Sequence, residues 1–175
     1  MRANRLLLPA LAFAGALLLA ACGSGGTTTS DGASAGGTSA SGPTEFAADK
    51  LGGGQLSSAS FAGKDTVLWF WAPWCTICRG EADDVVAAAD AVGADVEIIG
   101  VAGRGEVAEM EDFVSETGTG GLTHVVDEDG SIWSSYEVIA QPAYAFIDDD
   151  GSVEVSVGAL GEDALVERMT ALAEA

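Results

Sequence analysis

Apolar residues along this chain fall into short runs whose spacing switches between that of strands and that of helices. Val67 to Trp71 (VLWFW) is a continuous apolar run, which as a strand needs cover on both faces, and it breaks at Ala72-Pro73. Beyond it Val85, Val86, Ala89 and Val92 recur at three- and four-residue steps, predicting a helix that runs to about Val92 and stops at Gly93. Val96 to Val101 (VEIIGV) predicts a second buried strand, and Glu106 to Thr117 a helix with Val107, Met110, Phe113 and Val114 on one side. Strand, helix, strand in this order implies a right-handed crossover and a parallel pair. Thr123 to Val126 predicts a short strand ended by Asp127 to Gly130, and Ile132, Trp133 and Tyr136 mark a brief helix. Ala143 to Ile147 and Ser152 to Val157 flank Asp148-Asp149-Asp150-Gly151 as a hairpin, and Gly161 to Ala175 closes with Leu165, Val166, Met169 and Leu172 on a helical stripe. The fold class is α/β: a central mixed sheet with helices on both faces. Upstream, Phe46, Leu51, Leu56 and Phe61 sit among glycines and serines, as in a short hairpin followed by a single helical turn before Gly63-Lys64.

The first 43 residues follow a different pattern. Arg2 and Arg5 precede an apolar run from Leu6 to Ala21, interrupted by Pro9 and too short for a comfortable transmembrane helix. The run closes on Leu19-Ala20-Ala21-Cys22, which resembles the lipobox of bacterial lipoproteins, in which the cysteine is acylated and begins the mature chain. The competing expectation is an ordinary secretory signal cut near Ala21 that releases a soluble protein. Residues 1–21 are thus read as a lipoprotein signal peptide and 22–43 as the acylated Cys22 with a small, polar, disordered tether. Residues 44–175 are read as the folded domain. A tether of that length spans roughly 26 Å on average.

Charge narrows the possible partners. The chain has 7 basic and 27 acidic side chains, a net charge of −20, and loss of Arg2 and Arg5 with the signal leaves −22. Such a surface repels nucleic acid and anionic lipid head groups, so membrane attachment would have to come from the lipid on Cys22. No Walker loop, dinucleotide fingerprint or zinc-type ligand quartet is present, and no cofactor is expected.

The chemistry concentrates at Trp74-Cys75-Thr76-Ile77-Cys78, where the buried strand gives way to the helix. Cysteines at i and i+3 share one face of a first helical turn, so their sulfurs can join without moving the backbone far. Unpaired N–H groups and the helix dipole favour a thiolate there, and a shift of the Cys75 thiol from about 8.5 to about 7 is within their reach. Arg79, one turn on, reads as a solvated surface arginine. With Cys22 acylated, Cys75 and Cys78 can pair only with each other or with a partner's sulfur.

WCxxC after the first buried strand, with a lone Pro142 before a late strand, resembles the thioredoxin fold. More narrowly, GKDTVLWFWAPWCTICRGE, VVDEDGSIWSSYEV and QPAYAFIDDDG are similar to the extracytoplasmic TlpA-like and DsbE-like branch, over Phe46 to Ala175. The resemblance implies that Cys75 exchanges with the substrate and Cys78 resolves the mixed disulfide. It also implies that Pro142 is a cis-proline facing them, with the Gln141 backbone open to a substrate strand. Trp74, Thr76 and Ile77 would support the site, Trp74 as an apolar lip. Two departures stand out. Trp69 occupies the position of the aspartate buried in cytoplasmic thioredoxins, and Asp83 stands where the helix usually carries a proline. Glu81 fits the branch's CRxE pattern and is either a proton shuttle or a solvated helix carboxylate; His124 is expected in a structural or surface role.

The function implied is a lipid-anchored thiol-disulfide oxidoreductase on the extracytoplasmic face of the cell membrane. It would oxidise cysteines of exported proteins and be reoxidised by a membrane partner. The missing aspartate and the likeness to actinobacterial secreted DsbE-like oxidases favour that direction. A reductase for cytochrome c maturation or other thiols is the alternative within the same chemistry, and a copper(I) metallochaperone using both thiolates is the alternative of another class.

Overall fold

The computed structural model describes residues 44–175. The expected signal peptide (1–21) and the expected acylated Cys22 with its tether (22–43) lie outside the described residues. Strands β1 (Ala47–Asp49) and β2 (Gln55–Ser57) form the expected hairpin, followed by a 3-10 turn at Ser58–Phe61. The main sheet holds β3 (Thr66–Trp71), β4 (Glu97–Gly103), β5 (Thr123–Asp127), β6 (Ala143–Ile147) and β7 (Val153–Val157), in the spatial order β5-β4-β3-β6-β7. The pairs β3–β4 and β4–β5 are parallel, whereas β3–β6 and β6–β7 are antiparallel. This is a thioredoxin-like mixed sheet.

Every residue of β3 is buried, as its continuous apolar run requires. The two faces part cleanly. Val67, Trp69 and Trp71 point to the side of α1 (Thr76–Val92), α2 (Val107–Thr117) and α4 (Glu162–Ala173), where the Trp71 ring stacks on Phe113 at 4.1 Å. Phe70 points the other way, edge-on to Trp133 of α3 (Ser131–Ser135) at 6.0 Å. Helices therefore cover both faces.

Three features differ from the sequence reading. Strand β4 runs to Gly103, past Val101, because parallel pairing continues through Trp71↔Ala102 and Gly103↔Asp127. The first hairpin also reaches the edge of the main sheet, through a Lys50↔Val125 bridge and a Leu51 N–H to His124 carbonyl bond of 3.0 Å. Finally, the buried stripe of α1 is Cys78, Glu81, Ala82, Val85 and Ala88, rotated from the Val85, Val86, Ala89, Val92 pattern. The rotation places an acid where an apolar residue is the rule.

Candidate active site

The chain leaves β3 at Trp71, turns through Ala72 to Trp74, and enters α1 with Cys75 as its N-cap residue. The turn is held by the Cys75 N–H to Ala72 carbonyl bond of 3.0 Å. Cys75 and Cys78 are joined as a disulfide with their Cα atoms 5.3 Å apart. The Cys78 backbone N–H donates to Cys75 Sγ at 3.0 Å, so an otherwise orphaned amide of the first turn is directed at that sulfur. The two sulfurs differ in access: Cys78 is fully buried, whereas Cys75 keeps 5% of its surface.

A second loop braces this turn. The Trp74 indole N–H donates to the Arg104 carbonyl at 2.7 Å, leaving the ring exposed. Arg104 has φ +56°, and its guanidinium lies over the Trp133 ring at 4.7 Å. Gly105 is packed so closely on Pro73 that a Cβ there would overlap the proline ring. Trp74 is thus the exposed lip expected of it, but a tethered one. Arg79 departs from a freely solvated side chain. It pairs with Glu116 at 2.7 Å, reaches the Pro73 carbonyl at 3.3 Å, and covers the Phe113 ring. Thr76 and Ile77 are exposed beside the disulfide.

Pro142 follows Gln141 through a cis peptide bond, as the resemblance implied. It precedes Ala143, which pairs with Phe70 at the end of β3 that delivers Cys75, so Gln141 and Pro142 share the sulfurs' end of the sheet. Val157 pairs with Ala143 at that same end. Trp74, Ile77, Ile139 and Val157 are the exposed large apolar residues of the described chain, and all belong to this end of the sheet or the loops leading to it.

Behind the disulfide lies what the sequence did not settle. Glu81 is buried, 4% exposed, one turn beyond Cys78 on the same stripe of α1. Its Oε1 accepts the Trp69 indole N–H at 2.8 Å, whereas its Oε2 has no hydrogen-bond partner. Burial pushes the carboxyl up to about 7, against the lowering effects of the Trp69 N–H, the Tyr144 hydroxyl and the Leu160 backbone, with a small upward push from Asp84. The solvated alternative for Glu81 is therefore excluded. Position 69 carries no carboxylate, yet its tryptophan holds one that arrives from the facing helix. No kink is needed at Asp83, since α1 is helical from Thr76 to Val92.

His124 is interior rather than on the surface. Its Nδ1 accepts the Trp71 indole N–H at 3.3 Å, which leaves Nε2–H to donate to the Thr119 carbonyl at 3.0 Å. Burial pushes its pKa down, partly offset by the Thr119 bond, so the ring is neutral and fully engaged. It is unavailable as a third ligand beside the two sulfurs. Sequence reasoning missed Tyr144, Arg104 and the donor role of Trp69, because each acts through a contact between elements far apart in the chain.

The sequence matches the AhpC/TSA family over residues 42–156. The chain belongs to that family. Among individual members it is 40% identical over 131 residues to the soluble secreted antigen MPT53 of Mycobacterium tuberculosis, covering 73% of this chain and 75% of that protein. The solved structure of MTB DsbF, in mixed oxidised and reduced forms, superposes with a TM-score of 0.70 at 44% identity, over 73% of this chain and 94% of that one. The pneumococcal exposed lipoprotein thioredoxin Etrx1 of Streptococcus pneumoniae gives 0.66 at 27%, covering 74% of this chain and all of its own. A secreted Mycobacterium tuberculosis disulfide oxidoreductase superposes with a TM-score of 0.67 at 38% identity, over 73% of this chain and 96% of that one. With its CxxC disulfide, this chain is a thiol-disulfide oxidoreductase of the extracytoplasmic kind.

Proposed function

We propose that this extracytoplasmic oxidoreductase oxidises cysteine pairs of exported polypeptides, through Cys75 as the exchanging sulfur and Cys78 as the resolving one. The observation that carries the reading is the unequal access of the two sulfurs at a helix N-terminus. A substrate thiolate can reach Cys75 alone. Its attack forms a substrate–Cys75 disulfide and releases Cys78 as a thiolate, stabilised by the dipole of α1. The substrate's second thiolate then attacks its own sulfur, leaving with a new disulfide while Cys75 departs as thiolate. Two electrons have passed to the protein, and a membrane oxidant must remove them. The exposed apolar residues at this end suit extended chains whose cysteines lie among apolar side chains.

Glu81 supports a proton-transfer role in either direction. It can protonate the Cys78 thiolate as it leaves, or take the proton back when Cys78 attacks. One specific observation favours the second reading, a reductase of apocytochrome c or other thiols: a buried acid does stand behind Cys78, so the substitution at position 69 no longer argues for the oxidase. A reduction potential at or below about −270 mV against glutathione would select the reductase, and a clearly higher one the oxidase. Cys75→Ser should abolish oxidation of reduced ribonuclease, and retained activity would overturn the assignment of Cys75.

Anchoring through Cys22 belongs to the same proposal. The lipoprotein character of Etrx1 favours it, and the soluble, secreted MPT53 favours release. Palmitate labelling decides: wild type should take up label and Cys22→Ala should not, whereas an unlabelled wild type would leave a secreted enzyme.

A further inference from the structure

Tyr144 is fully buried at the register position directly across from Trp69 in the β3–β6 pair, so both side chains stand on the face covered by α1. Trp69 donates to one oxygen of Glu81. The remaining Glu81 oxygen and the Tyr144 hydroxyl both lack a hydrogen-bond partner. Two orphaned buried groups of complementary kind are costly apart and stabilising together. The hydroxyl works with the Trp69 N–H to lower the carboxyl's pKa against the upward push of burial, and the phenol's own pKa is raised by burial first and by Glu81 next. The phenol thus stays protonated, a donor at every physiological pH.

We infer that Tyr144 is a positioning residue for the redox reaction, its hydroxyl serving as the second donor to Glu81 and setting the pH at which that carboxylate can receive a proton. The inference rests on the Glu81 role proposed above. When Glu81 is ionised, Tyr144 O–H and Trp69 N–H hold one oxygen each. When Glu81 takes a proton, the phenol must turn to accept from the new O–H and its own hydrogen loses that acceptor, so the Tyr144 bond favours the ionised carboxylate. The other groups facing Glu81 are Asp84 on α1, the Leu160 backbone before α4, and Cys78, which does not titrate while joined to Cys75.

The oxidised protein gives a direct test, since its cysteines are silent and ordinary carboxyls are ionised above about pH 6. The infrared carboxylic C=O band that persists near pH 7 and disappears in Glu81→Gln reports Glu81. In Tyr144→Phe its midpoint should rise by about one pH unit, the size expected for losing one hydrogen bond to a charge. The pH profile of the thiol-exchange rate should move by the same amount. An unmoved or lowered midpoint would overturn the inference, as would a moved midpoint with an unmoved rate profile. The Glu81 reading fails separately, if Glu81→Gln reproduces the wild-type profile. Should Tyr144→Phe not fold, the phenol C–O band of the wild type must shift as Glu81 titrates and stay fixed in Glu81→Gln. No such shift would equally defeat the inference.

Discussion

Glu81 and Asp127 are buried to nearly the same depth, 4% and 3% exposed, on opposite faces of one sheet. Asp127 ends β5 and turns both oxygens onto α3: Oδ1 accepts from Ile132 N–H at 3.0 Å and Ser131 Oγ–H at 3.3 Å, Oδ2 from Trp133 N–H at 2.9 Å. It replaces the capping bonds that α3 lacks at its own N-cap, Gly130. Glu81 faces α1's side of the same sheet with one donor and one empty oxygen. A carboxylate with both oxygens bonded is structure; one held half-satisfied behind a disulfide has capacity left for a proton. His124 sharpens the contrast, since it shares Glu81's face and yet has both ring nitrogens bonded. The undersatisfaction on this face belongs to Glu81 and to the Tyr144 hydroxyl, and their surroundings are well packed.

The largest expected effect comes from the satisfied partner. Asp127→Ala should lose about 3–4 kcal/mol in denaturant unfolding, because two buried backbone N–H groups are left unpaired; a loss under about 1 kcal/mol would remove the structural half of the comparison. Gly100→Ala tests whether the rest of Glu81's face is tight. Its Cβ would overlap His124 Nδ1 and lie 2.7 Å from Trp71 Nε1, so roughly 2–3 kcal/mol should be lost. A neutral substitution would show that the face is loose.

Glu81→Gln should act in the opposite sense on stability. The carboxyl's pKa is raised on folding from 4.5 to about 7, so the folded state binds the extra proton and its contribution is fully present below pH 4.5. That contribution is lost as pH rises to about 7. At pH 8 the glutamine variant should therefore be more stable than wild type by about 2 kcal/mol, with the difference shrinking toward pH 4.5. The same variant should slow thiol exchange roughly 10²-fold. A destabilised variant at pH 8 would place Glu81 with Asp127 as a structural acid. The smallest effect is expected at the lip: Trp74→Phe removes the indole bond to Arg104 but keeps an exposed ring, and should cost under about 1 kcal/mol while raising KM more than it lowers kcat.

The sequence by itself determined the element order, the strand-to-helix junction that carries Cys75 and Cys78, and Pro142 before β6, because continuous apolar runs, helical stripes and WCxxC are local signals. Its account of α1 was incomplete, since an acid inside a buried stripe reads as solvent-facing until the neighbouring helix and sheet are in place. Only the tertiary structure decided that Glu81 points inward, that Trp69 holds it and that Tyr144 stands opposite. Those facts follow from the β3–β6 register and the packing of α1 on β3, where a one-residue slip would turn each side chain to the other face. The chemistry of the sulfurs is written in consecutive letters, while the surroundings of the buried Glu81 carboxyl are set by residues 12 and 63 positions away from it that meet it only when the sheet closes.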